Sequence, residues 1–202
     1  MEVGEGSVAA LAGLLRDHLL PAEPPPGGFR HAAVLVPLRL RAGELRVVLG
    51  TRTEDVPHHK GQVCFPGGSR DGDDATLVDT AVREAEEEMG IPPRAVRLLG
   101  AMEPVETVTG FWIQPYVALI PPDLPFRLAP FELGEAFEEP LARFSDPSLF
   151  RAAPCVFRGL PHEVLFVDVG ARTVWGATAR ILFRLAALAR EAGLFGAPRA
   201  AP

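Results

Sequence analysis

The sequence has 202 residues, which is the length of one domain with short extensions and is enough to bury a substantial core. Its hydrophobic fraction of 48% and charged fraction of 23% are typical of a compact globular protein. The formal net charge of −6 argues against a nucleic-acid-binding protein, because such proteins carry basic surfaces that neutralise phosphates.

The first part of the chain predicts one helix and then a β-hairpin. Ser7 begins an amphipathic pattern that Pro21 stops. Residues 21–28 are rich in proline and glycine and predict a linker. Residues 31–40 and 45–51 are β-favouring runs around a short loop with glycine, which is typical of a hairpin.

The central part predicts short strands on both sides of one helix. A strand at residues 62–65 leads through a glycine-rich loop to a helix over residues 77–89. Gly90 is a suitable residue to end this helix. Residues 96–102 and 111–120 then predict two further strands.

The last part predicts a strand and a long helix. Residues 131–141 fit either a strand or a short helix, and residues 163–169 predict a strand. Residues 174–192 predict a long helix that ends at Gly193. Strands mixed with helices and hairpins predict an α/β layered domain with a mixed sheet.

The cysteine content and the apolar runs indicate the compartment. Cys64 and Cys155 are the only cysteines, too few for a disulfide framework and wrongly spaced for a Cys-x-x-Cys site. No secretory signal opens the sequence, and no apolar run approaches the length of a membrane span. We therefore expect a cytoplasmic protein with free thiols and no membrane partner, and a homodimer is compatible with the sequence.

Three glutamates share one face of the predicted helix over residues 77–89. Glu84, Glu87 and Glu88 are spaced to converge, whereas Glu86 points elsewhere. Their mutual repulsion and the negative end of the helix dipole both disfavour this arrangement. Bound Mg²⁺ or Mn²⁺ would turn the repulsion into coordination, since both ions favour carboxylate oxygens. An ordinary solvated helix face is the alternative interpretation.

Residues 83–91 read REAEEEMGI and follow the pair Gly67-Gly68. This arrangement resembles the Nudix box, in which a glycine precedes an R-E-U-x-E-E-x-G-U segment and U is aliphatic. The residues that match directly are Arg83, Glu84, Glu87, Glu88, Gly90 and Ile91. Two features differ, because Gly68 and Arg83 are one residue farther apart than in the family pattern and Ala75 replaces a glutamate.

Both differences are similar to those of one subgroup, the coenzyme A pyrophosphatases, whose box contains G-G-x-x-D-x-x-D. Asp71 and Asp74 occupy the two acidic positions. Upstream, residues 49–68 resemble the subgroup's segment in which an arginine and a histidine precede G-Q-V-x-F-P-G-G. Downstream, residues 131–141 and 174–182 also resemble segments of that subgroup.

The resemblance implies a Nudix-type α/β/α sandwich with a mixed β-sheet. The Nudix hydrolase domain would cover residues 29–193. Residues 1–28 would form an N-terminal helix and linker, and residues 194–202 would form a C-terminal tail.

The resemblance also implies an activity. The protein would use Mg²⁺ or Mn²⁺ to hydrolyse the pyrophosphate bond of coenzyme A or its thioesters, giving 3′,5′-ADP and 4′-phosphopantetheine. Two alternatives stay open. In the first, the protein acts on another nucleoside diphosphate derivative, such as ADP-ribose or NADH. In the second, it senses a nucleotide without catalysis.

The implied catalytic set follows the box. Glu84, Glu87 and Glu88 would hold the metal, and Arg83 would face away from them and orient the loop by pairing with another carboxylate. Glu135 completes the set, although the general base can equally be a helix glutamate or Glu132.

The implied substrate-binding set consists of basic residues in the loop before the box and of the glycine pair. Its members are Arg52, His59, Lys60, Gly67 and Gly68. An arginine suits bidentate phosphate contacts. We interpret Trp175 and Cys64 as core residues.

Overall fold

The computed structural model describes residues 4–16, 28–54, 60–157 and 159–195, and within them it contains three α-helices and eleven β-strands. The α-helices are α1 (Glu5–Arg16), α2 (Leu77–Met89) and α3 (Gly176–Glu191). The strands are β1 (Arg30–Arg41), β2 (Glu44–Arg52), β3 (Val63–Cys64), β4 (Gly67–Ser69), β5 (Arg97–Ala101), β6 (Val105–Glu106), β7 (Phe111–Leu119), β8 (Leu133–Pro140), β9 (Phe150–Phe157), β10 (Leu160–Val169) and β11 (Arg172–Trp175). Short 3₁₀ helices occupy Pro93–Ala95, Leu141–Ser145 and Pro147–Leu149.

The strands form two sheets. In the larger sheet the order is β3-β2-β1-β7-β5, while β4 pairs with β1, β6 with β7 and β8 with β2. Strands β1 and β7 are parallel, from Arg30 opposite Phe111 to Leu38 opposite Leu119, and the other pairs are antiparallel. The smaller sheet is antiparallel, in the order β11-β10-β9. The mixed sheet predicted from the sequence is therefore confirmed.

Helices cover both faces of the larger sheet. Successive side chains of β1 point to opposite faces, so Leu35 packs with Met89 of α2 while Val36 packs with Leu11 of α1 and Leu182 of α3. This alternation produces two separate apolar cores, one on each side of the sheet. The architecture is the α/β/α sandwich expected from the sequence.

Local signals fix helix α2 at the predicted residues. Thr76 and Asp79 form a capping box, in which the Thr76 N–H donates to Asp79 Oδ2 at 2.8 Å and the Asp79 N–H donates to Thr76 Oγ1 at 3.3 Å. At the other end Gly90 adopts a left-handed conformation with φ of 68°, and its N–H donates to the Glu86 carbonyl at 2.9 Å. The register of the glutamates on α2 is fixed by these two caps.

Several predicted elements differ from those observed. The ambiguous residues 131–141 contain strand β8, and the predicted helix over 174–192 begins later because Arg172–Trp175 pairs with β10. Strand β9 was not predicted, since its sequence contains Pro154; the strand pairs only with β10, and proline is tolerated on such an edge. Helix α1 begins at Glu5, two residues before Ser7, where we expected the pattern to begin.

The two predicted extensions contain residues that belong to the packed core. Leu11 in α1 and Leu194 near the C-terminus are both buried in the core shared with α3. The domain bounds at 29 and 193 stay predictions. No α-helix in the described ranges is long and apolar enough to cross a membrane.

Candidate active site

Two glycines allow helix α2 to lie close to strand β4. Gly67 and Gly68 pair with Val34 and Ala33 of β1. A Cβ atom on Gly68 would collide with the Glu84 carboxylate, and one on Gly67 would collide with the backbone of β1. A larger residue at Gly67 would therefore disturb the pairing of β4 with β1, and one at Gly68 would displace the Glu84 carboxylate.

Glu88 is the most deeply buried of the glutamates on α2, with only 1% of its surface exposed. Its Oε2 accepts a hydrogen bond from the Gly67 N–H at 3.0 Å, and its Oε1 lies 3.7 Å from Arg52 Nη2. Burial raises the pKa of Glu88 to about 7, and the Gly67 N–H and the Arg52 charge offset only part of this effect. This carboxylate is consequently a strong base for a glutamate and a strong attractor for a cation.

Glu84 and Glu87 share one cationic partner. Arg83 Nη1 donates to Glu84 Oε1 at 3.0 Å and to Glu87 Oε2 at 2.9 Å. The Glu84 side chain is 16% exposed and the Glu87 side chain is 57% exposed. Burial raises the pKa of Glu84, although the neighbouring Arg83 opposes the increase. The expectation that Arg83 faces away from the glutamates is wrong, because the i,i+4 spacing brings Arg83 next to Glu87.

Arg83 also holds the loop that precedes α2. Its Nε and Nη2 donate to Asp74 Oδ1 and Oδ2, both at 3.0 Å, in a bidentate pair. Asp74 is buried and accepts a further hydrogen bond from the Asp71 N–H at 2.9 Å. The hydrogen bonds from Arg83 hold the pKa of Asp74 well below its usual range. The expected role of Arg83 in orienting the loop thus has a definite partner in Asp74.

We expected the three carboxylates to converge, but in the structure they do not meet at one point. Glu84 and Glu87 turn toward Arg83, whereas Glu88 turns toward Gly67. Within the described part of the chain, no three His, Cys, Asp or Glu side chains lie close enough together to hold a metal ion. The assignment of Glu84, Glu87 and Glu88 as metal ligands therefore stays a prediction.

The chemistry of these residues fits a hard divalent cation. Glu84 and Glu88 are carboxylates whose burial raises their pKa, so a nearby cation would lower the cost of their ionisation. Mg²⁺ and Mn²⁺ favour carboxylate oxygens, and they usually retain several waters rather than a full shell of protein ligands. Glu84, Glu87 and Glu88 would supply such oxygens from one helix.

Two further glutamates precede or occupy strand β8. The Glu132 charge contributes to the raised pKa of both Glu84 and Glu88, so Glu132 lies within electrostatic range of both. Glu135, which we assigned to the catalytic set, forms an ion pair with Arg172 of β11 at 2.5 Å. The structure thus brings Glu132 to the glutamates of α2 and gives Glu135 a different partner.

A cavity of about 620 Å³ lies beside the glycine pair. Arg52, Gln62, Gly67 and Gly68 line its end nearest the glutamates. Trp175 lines it as well and is 38% exposed, so the interpretation of Trp175 as a core residue is wrong. Its ring stacks on Phe166, its partner on β10.

The other predicted contacts have different environments. Lys60 is exposed at the turn before β3, while His59 lies outside the described residues. Cys64 lines the cavity, and burial raises its pKa to about 12, so its thiol stays protonated and is a poor nucleophile.

A family model of the NUDIX domain matches residues 29–144, which contain the glycine pair, the glutamates of α2 and Glu132. The chain belongs to the Nudix family. Proteins described as uncharacterized Nudix hydrolase NudL, from Salmonella paratyphi B and Salmonella newport, are each 42% identical to it over 157 residues. The alignment covers 78% of this Nudix chain and 81% of each relative.

Solved structures agree with the fold of this Nudix protein. The MutT protein from Methanosarcina mazei Go1 matches with a TM-score of 0.52 and 20% identity, covering 84% of this chain and 97% of that one. A MutT/nudix family protein from Enterococcus faecalis matches with a TM-score of 0.51 and 17% identity, covering 87% of this chain and 67% of that one. At such identities the likeness shows the fold alone. Divalent metals such as Mg²⁺ or Mn²⁺ are general in Nudix hydrolases.

Proposed function

We propose that this Nudix hydrolase cleaves the pyrophosphate bond of coenzyme A or its thioesters with Mg²⁺ or Mn²⁺. The products would be 3′,5′-ADP and 4′-phosphopantetheine or its acyl form. The main support is the position of the segment that resembles the coenzyme A subgroup. In that segment the Gly67 N–H binds Glu88, while Gln62 and Phe65 line the cavity. One short segment thus connects the carboxylate helix with a space for a substrate arm.

Some residues of the site would bind the cation, and others leave space beside it. Glu84, Glu87 and Glu88 would hold the cation, which when bound supplies charge neutralisation at the diphosphate and a more acidic water. Gly68 leaves room beside the Glu84 carboxylate because it carries no side chain.

Among the described residues, Arg52 is a cation that lies between the glutamates of α2 and the cavity. Its side chain is 25% exposed, and it both approaches Glu88 and lines the cavity. A guanidinium group can bind two phosphate oxygens at once, so Arg52 is suited to orient the phosphates of the substrate.

Glu132 is the better candidate for the general base. It lies near Glu84 and Glu88, whereas the Glu135 carboxylate binds Arg172. We expect Glu132→Gln to reduce kcat by at least about a hundredfold, the typical contribution of general base catalysis. The matched change Glu135→Gln should alter kcat by less than about threefold. Steady-state assays with coenzyme A would measure both, and a larger loss in Glu135→Gln would reverse the assignment.

A panel of diphosphate compounds tests the proposed substrate. The purified protein would be incubated with coenzyme A, ADP-ribose and NADH in the presence of Mg²⁺ or Mn²⁺, and mass spectrometry would identify the products. We expect 3′,5′-ADP and 4′-phosphopantetheine from coenzyme A, at the highest kcat/KM of the panel. A higher kcat/KM for ADP-ribose or NADH would make the protein a different Nudix hydrolase. Binding without cleavage would indicate a nucleotide-sensing module.

A further inference from the structure

The cavity beside the glycine pair lies between the two sheets and has mainly apolar walls. Val34 of β1 and Ile113 of β7 form one wall. Leu165 of β10 lies opposite, on the strand face that packs against the same core, and Cys155 of β9 and Val164 of β10 complete the lining on the side of the smaller sheet. The beginning of α3, at Ala177, closes a third side. A volume of about 620 Å³ is in the usual range for small-molecule pockets.

The charged residues of the cavity lie at its edges and balance one another. Glu106, Glu163 and Arg180 are exposed at the opening, while Arg52 lies at the end nearest Glu88. Among the described residues that line the cavity, two positive and two negative side chains give no excess of positive charge. A nucleotide carrying a 3′-phosphate needs such an excess, so the cavity is poorly suited to that half of coenzyme A.

Exposed apolar side chains extend the cavity toward solvent. Val108, in the turn between β6 and β7, is 36% exposed, and Trp175 is 38% exposed. An apolar group that entered the cavity would cover both side chains and remove their surface from water.

We propose that this cavity accepts the acyl chain of a coenzyme A thioester, so that the protein prefers long-chain acyl forms to short-chain ones. This inference rests on the proposed cleavage of coenzyme A at the neighbouring glutamates. Gly68 contacts the Glu84 carboxylate and also lines the cavity, so a diphosphate at the glutamates leads one arm of the substrate into it. The uncharged pantetheine arm, with its acyl group, matches the apolar walls.

The first experiment measures kcat/KM for acetyl-coenzyme A and octanoyl-coenzyme A. Burial of one methylene contributes about 0.8 kcal/mol, or about fourfold. Partial burial of the longer chain should therefore raise kcat/KM by at least about tenfold. Val164→Phe adds bulk to the cavity lining and should reduce this ratio to below about threefold. The matched change Val156→Phe, on exposed β9 surface outside the cavity, should keep the ratio within about twofold of the native value.

The second experiment separates the cavity from the cleavage reaction. Octanoyl-pantetheine and pantetheine have no diphosphate, so calorimetric titration measures their binding without hydrolysis. The native protein should bind octanoyl-pantetheine at least about tenfold more tightly than pantetheine, and Val164→Phe should remove this difference in affinity. Circular dichroism would check that this variant folds. If it does not, Val108→Asp places a charge at the exposed opening instead. This change should weaken the binding of octanoyl-pantetheine more than the binding of pantetheine.

Each result decides one of the two proposals. No cleavage of coenzyme A, together with tighter binding of octanoyl-pantetheine that depends on Val164, would refute the proposed function and keep the acyl site. Equal binding of the two pantetheine compounds by the native protein would refute the acyl site, whatever the catalytic result. If Val164→Phe lost binding of 3′,5′-ADP but kept binding of octanoyl-pantetheine, the nucleotide would lie in the cavity. This result would also refute the acyl site.

Discussion

The buried carboxylate of Glu88 predicts an unusual effect of Glu88→Gln on stability. In the absence of divalent metal, this change should stabilise the folded protein at alkaline pH. The amide oxygen of glutamine can still accept the hydrogen bond from the Gly67 N–H, while the cost of burying a negative charge disappears. Arg52 loses an ion-pair partner but keeps contact with water, since its side chain is 25% exposed.

The raised pKa of Glu88 determines the magnitude and the sign of this change in the free energy of unfolding. In the folded protein its pKa rises from 4.5 to about 7, so the folded state binds the proton more tightly than the unfolded state. The free energy of unfolding therefore falls as the pH increases from about 4.5 to about 7, by roughly 3 kcal/mol. Glu88→Gln should remove this decrease, which corresponds to a melting temperature about 6–12 °C higher above pH 7.

Urea denaturation in the presence of a chelator, at pH 5 and pH 8, measures this effect. Glu86→Gln is the matched control, because Glu86 lies on the same helix with an exposed side chain. It should change the free energy of unfolding by less than about 0.5 kcal/mol at either pH. If Glu88→Gln were less stable than the native protein at pH 8, the proposed cost of the buried charge would be wrong.

Three further predictions concern the metal, the substrate and the loop. Glu87→Gln should abolish turnover and reduce the increase in melting temperature caused by Mn²⁺, whereas Glu86→Gln should match the native protein in both. Equal losses in both variants would contradict the ligand assignment. Arg52→Ala should lower kcat/KM for coenzyme A by about tenfold to a hundredfold, because a charge-assisted hydrogen bond to the diphosphate is lost. An unchanged kcat/KM would exclude Arg52 from binding the diphosphate. Asp74→Asn should lower the free energy of unfolding by about 1–3 kcal/mol at pH 7, measured in urea, because Arg83 loses an ionised partner. Since Arg83 depresses the pKa of Asp74, this difference should shrink as the pH falls below 3.8, and a constant difference would contradict the pairing.

Local sequence signals were sufficient where one short segment determines its own structure. Helix α2 has the predicted bounds because Thr76 and Asp79 cap its beginning and Gly90 ends it. Strand β4 had no such signal, since it has only three residues, Gly67–Ser69. Its position depends on contacts with β1 and with the glutamates of α2, which come from other parts of the chain.

The candidate site shows the same limit. The glutamates and Arg83 were found from the sequence, but we expected Arg83 to face away from them, although its i,i+4 spacing from Glu87 is the spacing of a helix ion pair. The choice between Glu132 and Glu135 depends on distances across the fold, so the sequence left it open. The cavity was not predicted because both sheets and α3 contribute to its walls.

The contacts of Arg83 have a consequence for how the protein would acquire a metal ion. One guanidinium group neutralises part of the charge of Glu84, Glu87 and Asp74 and joins helix α2 to the loop before it. The helix therefore does not require a cation in order to form, in contrast to small zinc domains that are unfolded without metal. Synthesis and folding can be completed first, and the metal can enter and leave a protein that is already folded. The supply of Mg²⁺ or Mn²⁺ would then control how many molecules are active, while the number of folded molecules stays the same.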